Sequence, residues 1–180
     1  DRGLVGSEMC IRDRVSLDDQ TPNGELLREH KERVAGHLNF FGTLAHSPAL
    51  FNGYLSSASA LSQGVLSQEL GIQIALTVSN ETGNPYCVNA YKNIARKHGV
   101  SDFESDLNIN GISSDSKTGL ILDFVRQLVR TKGQVRAGEI RLLRSTGVTD
   151  EEILEIIGNT VLNLGSAMVN YVAGTEIESE

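Results

Sequence analysis

Cys87 is the one side chain in the run Gly83-Asn84-Pro85-Tyr86-Cys87-Val88-Asn89-Ala90-Tyr91 with the chemistry of a nucleophile or redox group. A C-x-x-C followed by a His four residues later would suggest dithiol peroxidase chemistry. Here Asn84 stands in the place of the first thiol and Tyr91 in the place of the His. A thiolate, not a thiol, attacks peroxides and disulfides, and a helix N-terminus stabilises that anion through its N–H groups and its dipole. With Asn84 as N-cap and Pro85 at the first helical position, Cys87 falls inside the first turn, a setting that favours the thiolate. Tyr91 lies one turn on. A phenol with a reference pKa of about 10 is a poor base at neutral pH, but it could orient a peroxide or donate a hydrogen bond. His98, on the same helical face, is roughly 16 Å further along the axis. It reads as a cationic C-terminal residue before the Gly99 cap.

These residues need helices to position them, and helices with recognisable ends are what the chain supplies. Leu26, Leu27, His30 and Val34 recur at helical spacing, predicting one helix over residues 22–35 that Gly36 ends. Residues 38–46 form a short apolar segment. Ser47-Pro48 is an N-cap with proline at N1 and opens a helix to about Leu61, and Gly64 breaks the chain. Ser67 caps a helix carrying Leu70, Ile74 and Val78 that ends within residues 79–83, directly before Asn84. The helix opened by Asn84 runs to His98. Ser101 with Glu104 and Thr149 with Glu152 are capping boxes at two further helix starts. Between them come the apolar stripe Leu120, Ile121, Phe124, Val125 and Leu128, and a shorter helix bracketed by Gly133 and Gly147. The last helix aligns Ile153, Ile157, Val161, Leu164, Met168 and Tyr171. Gly158 and Gly165 lie on one face of it, where a neighbouring helix could approach closely. No strand alternation and no short repeat is present, so the expected fold class is all-α.

Composition agrees with that class and removes several functions. The 180 residues are 39% hydrophobic, with no Trp and only three Pro, which suits one helical domain with a sizeable core. A formal net charge of -7 without any basic run argues against nucleic acid or an anionic membrane surface as partner. No segment approaches the roughly 20 apolar residues of a membrane span. Residues 1–14 call for separate treatment. Glu8-Met9-Cys10-Ile11-Arg12-Asp13 is what GAG ATG TGT ATA AGA GAC encodes, a transposase end used in sequencing libraries. The segment is therefore read as a non-native leader, the alternative being a natural polar one, and residues 15–180 as the domain. With Cys10 set aside, Cys87 stands alone, which excludes an internal disulfide and fits a soluble protein of the reducing cytoplasm.

The run from Ile72 through Ser79-Asn80-Glu81-Thr82-Gly83-Asn84-Pro85-Tyr86-Cys87 to Tyr91 resembles the core of the carboxymuconolactone decarboxylase and alkylhydroperoxidase (AhpD-like) family. That core usually reads E-I-x-x-L-x-V-S-x-x-N-G-C-x-Y-C-x-x-A-H. The likeness extends outward to Asn39-Phe40-Phe41, to Asp123-Phe124 and Leu128-Val129-Arg130, and to Asn170-Tyr171-Val172-Ala173-Gly174. It implies an AhpD-like helical domain, assembled as a homo-oligomer. In the peroxidase branch the second cysteine attacks the peroxide, the first resolves it as a disulfide, and Glu and His relay protons. By position Cys87 matches the attacking thiol, Asn84 the resolving one, Tyr91 the His and Ile72 the Glu.

Three of those four positions have changed, so a dithiol cycle cannot run through this motif. Two readings follow. In one, Cys87 alone reduces a hydroperoxide, passing through sulfenic acid and restored by an external thiol. In the other, Cys87 is a small buried hydrophobe on an inactive scaffold that assembles or binds a small molecule. Lactone decarboxylation, the family's other activity, ranks behind both, because no His, Lys or Arg sits in the core motif. His30, His37 and His46 lack any metal-ligand spacing. No phosphate loop is present, and no cofactor or metal is expected.

Overall fold

The computed structural model describes residues 14–34 and 36–178. All regular secondary structure among them is helical: α1 (Pro22–Glu29), α2 (Lys31–Val34), α3 (Leu38–Leu44), α4 (Pro48–Leu61), α5 (Gln68–Glu81), α6 (Pro85–Lys97), α7 (Asp102–Ile109), α8 (Ser116–Thr131), α9 (Ala137–Ser145) and α10 (Asp150–Ala173). No helix among the described residues is long and apolar enough to cross a membrane. The leader apart from Arg14, and with it Cys10, lies outside the described residues.

The caps form where hydroxyl and amide side chains announce them. Ser47, Ser67 and Asn84 accept the N–H groups of Leu50, Leu70 and Cys87, and Thr149 and Glu152 form the full reciprocal capping box. The second expected box is only half made. Ser101 Oγ accepts the Glu104 N–H at 3.1 Å, but the Glu104 carboxylate turns away to Ser113, Ser114 and Asn108.

The chain packs as two units, one made of the residues up to Ser56 together with those from Met168 onward, the other of Ser57–Ala167. In the first, the single helix expected over residues 22–35 is two. His30 Nδ1 lies 3.0 Å from the Leu26 carbonyl, the acceptor that an uninterrupted helix would give to the His30 N–H, and the backbone there leaves the helical region at φ -105°, ψ 9°. Arg33 and Val34 restart the ladder on the His30 carbonyl. His30 also meets Phe51 edge to face at 5.3 Å, and Phe40, Phe41 and Tyr54 continue the aromatic cluster.

In the second unit, α5 is the central helix and packs against α6, α7 and α8. All eight residues from Ile72 to Ser79 are buried, which is the condition of a helix covered on every side. Ile74 and Val78 join Ile121, Leu122, Val125, Leu143 and Ile156 in one core cluster. Glu155 of α10 ties the loop before α5 by accepting the Val65 and Leu66 N–H groups.

The faces of α10 differ from the expected stripe. Of the residues aligned by sequence, Ile153 is buried, but Val161 is 61% exposed, and Met168 and Tyr171 also face solvent. The inward positions in the second unit include Thr160, Asn163 and Ser166. Each uses a local bond to do so: Thr160 Oγ1 donates to the Ile156 carbonyl, Asn163 Nδ2 to Asn159 and Ser166 Oγ to Asn163. Of the two glycines, Gly158 does sit under a neighbour, since a Cβ there would lie 3.1 Å from Leu61 Cδ2. Gly165 faces open space.

Candidate functional site

The join between α5 and α6 is built by two interlocked caps. At the end of α5, Gly83 takes the left-handed conformation at φ 69°. Its N–H reaches the Asn80 carbonyl at 2.8 Å, and the Asn84 N–H reaches the Ser79 carbonyl at 3.0 Å, the pair of bonds that closes a Schellman motif. Asn84, the last residue of that motif, is also the N-cap of α6, and Pro85 follows at N1 where its missing N–H is harmless. Glycine is required at 83 by its positive φ, so the sequence Thr82-Gly83-Asn84-Pro85 dictates where Cys87 stands.

Cys87 is a thiol at N3, 3% exposed. Its N–H donates to Asn84 Oδ1 at 3.1 Å, and Asn84 Nδ2 donates to the Ala167 carbonyl at 3.2 Å. The first turn therefore offers an anion less than its position promises. Pro85 has no N–H, and that of Cys87 is already taken. Tyr91 is half-buried and packs on the cluster of Ile72, Leu76, Ala95 and Val100. The structure thus brings Asn84 and Cys87 into hydrogen bond and places Tyr91 against the apolar group that contains Ile72. His98 is the exposed C-cap of α6, with its Nε2 3.4 Å from Gln68 Nε2.

No family model matches the sequence, and no curated protein matches it. Solved structures do. An alkylhydroperoxidase AhpD core, a peroxidase-related protein of Ralstonia eutropha, superposes with a TM-score of 0.77 at 23% identity, over 87% of this chain and 85% of that one. The chain has the AhpD-like helical fold. A peroxidase-related protein of a Silicibacter species gives a TM-score of 0.76 at 20% identity over 95% and 94% of the two chains. A debrominase variant bearing a cysteine-to-alanine replacement, in complex with 2,3,4-tribromopyrrole, gives 0.77 at 18% identity over 92% and 91%.

On this AhpD-like scaffold, sequence reasoning passed over one ionic group beside the Cys87 hairpin. Glu81, in the last turn of α5, is an acid at the negative end of a helix dipole. Arg130 binds it at 2.7 and 2.8 Å and Arg126 at 3.2 Å, both from α8. Burial pushes the Glu81 carboxyl up, but the hydrogen bonds and charges of Arg130 and Arg126 outweigh it and hold the group below the usual carboxylate range. The signal was present in sequence only as two arginines four apart, with nothing to indicate their partner.

Three of the cavities lined by described residues bear on the site. One of about 560 Å³ lies in the second unit at the starts of α5, α7 and α8. In the first unit, one of about 580 Å³ lies beside Val15, and an apolar groove of about 300 Å³ runs between Leu50 and Met168. None of the three is lined by Cys87, Asn84 or Tyr91.

Proposed function

We propose that this AhpD-like, peroxidase-related chain is a noncatalytic small-molecule binder that assembles with copies of itself, its motif retained as architecture. The observation that carries the reading is the pairing of losses at the motif. Cys87 is buried with its N–H committed to Asn84, and the two positions matched to the proton-relaying residues, Tyr91 and Ile72, belong to one apolar group. A buried thiol whose motif carries neither the second cysteine nor the His serves better as a small core hydrophobe. Self-assembly is supported by α10, where Leu154 and Val161 lie seven residues apart with 69% and 61% exposure and Gly165 stands open one turn on.

The intact cap favours a second reading, a one-cysteine thiol peroxidase. In that cycle the Cys87 thiolate attacks the terminal peroxide oxygen, the O–O bond breaks, and the alkoxide leaves as alcohol after taking a proton. Cys87 is left as sulfenic acid. An external thiol condenses with it, releasing water, and a second thiol displaces the mixed disulfide. The debrominase, a protein of similar fold solved with 2,3,4-tribromopyrrole, supports this scaffold as one that can host chemistry on a small molecule.

Intact-mass measurement after mild peroxide with a sulfenic-acid trap separates the two. No adduct at Cys87 is expected. A stoichiometric adduct formed on the folded chain overturns the noncatalytic reading and installs the second.

A further inference from the structure

We propose that the cavity at the starts of α5, α7 and α8 binds a small organic cation, an aliphatic compound with an ammonium or guanidinium head. The inference gives the binder reading a site and a ligand class, and in that sense rests on it.

The floor of the cavity is Leu70, Gln73, Val100 and Ile121. Gln73 is 5% exposed, yet its side-chain amide makes no hydrogen bond among the described residues. On the same buried helix the Thr77 and Ser79 hydroxyls are both paired with carbonyls. Its amide oxygen and nitrogen are not sealed from solvent; they open onto the cavity wall, where a ligand can supply a donor and an acceptor in place of water.

The charge of the ligand follows from the rim, where Glu69, Glu104, Asp115 and Glu152 face a single ammonium, Lys117. Three of these carboxylates are occupied. Glu104 accepts from Ser113, Ser114 and Asn108, Asp115 from the Thr118 N–H, and Glu152 from the Thr149 N–H. Glu69 has no hydrogen bond or ion pair among the described residues. An anion is the wrong occupant even though three helices begin here. The donors at those N-termini are answered by Ser67, Ser101 and Asp115, and the surrounding charge repels it.

Phe103 completes the site. It lines the cavity with 69% of its surface exposed, and an aromatic face beside carboxylates attracts a cationic head group. The head then meets Glu69 and Phe103, an N–H of the ligand reaches the Gln73 amide oxygen, and the aliphatic body covers Leu70 and Ile121.

The test is calorimetric titration of the full chain with agmatine, which carries both head groups on a four-carbon body, alongside pyrophosphate and glycerol. Saturable binding of agmatine at roughly millimolar Kd or tighter, weakening with added salt, is expected, with neither of the others binding. Gln73→Leu should weaken agmatine at least about tenfold without lowering the melting temperature of the free chain, because the amide opens onto the cavity. A purely structural glutamine would lower it. Glu69→Gln should weaken binding several-fold and flatten the salt dependence, and as a surface change it carries the test should Gln73→Leu fail to fold. Absence of saturable agmatine binding overturns the proposal. So does binding indifferent to both substitutions, or binding of pyrophosphate or glycerol in its place. The sulfenic-acid trap at Cys87 tests the noncatalytic reading without reference to this cavity, so the two fail separately.

Discussion

Asn84 Oδ1 accepts the Cys87 N–H at 3.1 Å while Asn84 Nδ2 donates to the Ala167 carbonyl at 3.2 Å. One buried amide therefore starts α6, fixes Cys87 and joins the hairpin to α10. A thiol at this position would supply none of the three as well, since sulfur is a weak acceptor and a weak donor. The residue that removes the dithiol chemistry is the residue that holds the hairpin.

Replacing Asn84 therefore costs stability. Asn84→Ala should lower the unfolding free energy by roughly 1–3 kcal/mol, combining a lost N-cap with a buried carbonyl left unpaired. Asn84→Asp keeps the acceptor but sets a carboxylate against the Ala167 carbonyl, so it should recover little. Urea unfolding curves check both, and an Asn84→Ala variant as stable as the parent would remove the dual role.

Burial of Cys87 makes its reactivity an opening equilibrium. A thiol exposed only through local unfolding is modified at a rate scaled by the open population. Ellman's reagent should label Cys87 in the folded chain roughly 10²-fold more slowly than in denaturant, a ratio corresponding to ~3 kcal/mol of opening. Comparable rates in the two states would contradict the buried geometry.

Acid should weaken the fold through Glu104. Burial raises its carboxyl, but hydrogen bonds from Ser113, Ser114 and Asn108 bring it down from 4.5 to about 2. A folded pKa below the unfolded one gives stability that is complete above pH 4.5 and is lost as pH falls toward 2. Glu81, held low by Arg130 and Arg126 against its burial, acts in the same direction. The urea midpoint should fall from pH 6 to pH 3, and Glu104→Gln should reduce that fall while lowering stability at neutral pH. A variant with an unchanged acid limb would acquit Glu104.

The parts of the fold that sequence made legible are those decided within one helical turn. Ser47, Ser67, Asn84 and Thr149 cap because hydroxyl and amide oxygens reach the N–H three residues on, wherever the rest of the chain lies. The break at His30 was not legible, because it depends on an imidazole capturing the Leu26 carbonyl rather than pointing away. Nor were the faces of α10, where apolar spacing marked Val161 as inward. Thr160 and Ser166 satisfy their hydroxyls, and Asn163 its amide N–H, on their own helix, and so they can be buried in its place, though Asn163 Oδ1 has no hydrogen-bond partner among the described residues. At the site, the hairpin geometry of Asn84 and Cys87 was readable for the same local reason. The Glu81 arginine pair and the Gln73 cavity join residues from separate helices, and no spacing rule links them.

Glycines separate the buried from the open positions. A Cβ on Gly42 would meet the Val15 carbonyl, which the Val15 N–H to Gly42 carbonyl bond at 3.1 Å keeps in place. Gly42→Ala should therefore destabilise by roughly 1–3 kcal/mol, read from a lower melting temperature. An unchanged value would mean that the Val15 segment is not held there in solution.

Gly165 is the opposite case and also tests self-assembly. Inside α10 and facing open space, it should gain about 1 kcal/mol on replacement by Ala in a single chain, through helix propensity alone. If the face formed with Leu154 and Val161 is covered by a second copy, the added methyl intrudes on that contact, and the gain shrinks or reverses with rising protein concentration. Val161→Glu sharpens the test. At an exposed helix position it should change single-chain stability by no more than about 0.5 kcal/mol, yet it buries a charge in any interface there. Sedimentation velocity of the unaltered chain should give a multiple of 19.5 kDa, and Val161→Glu should return it to that mass. An unaltered chain sedimenting at 19.5 kDa would end the assembly proposal, and a Val161→Glu variant that stays assembled would move the interface off α10.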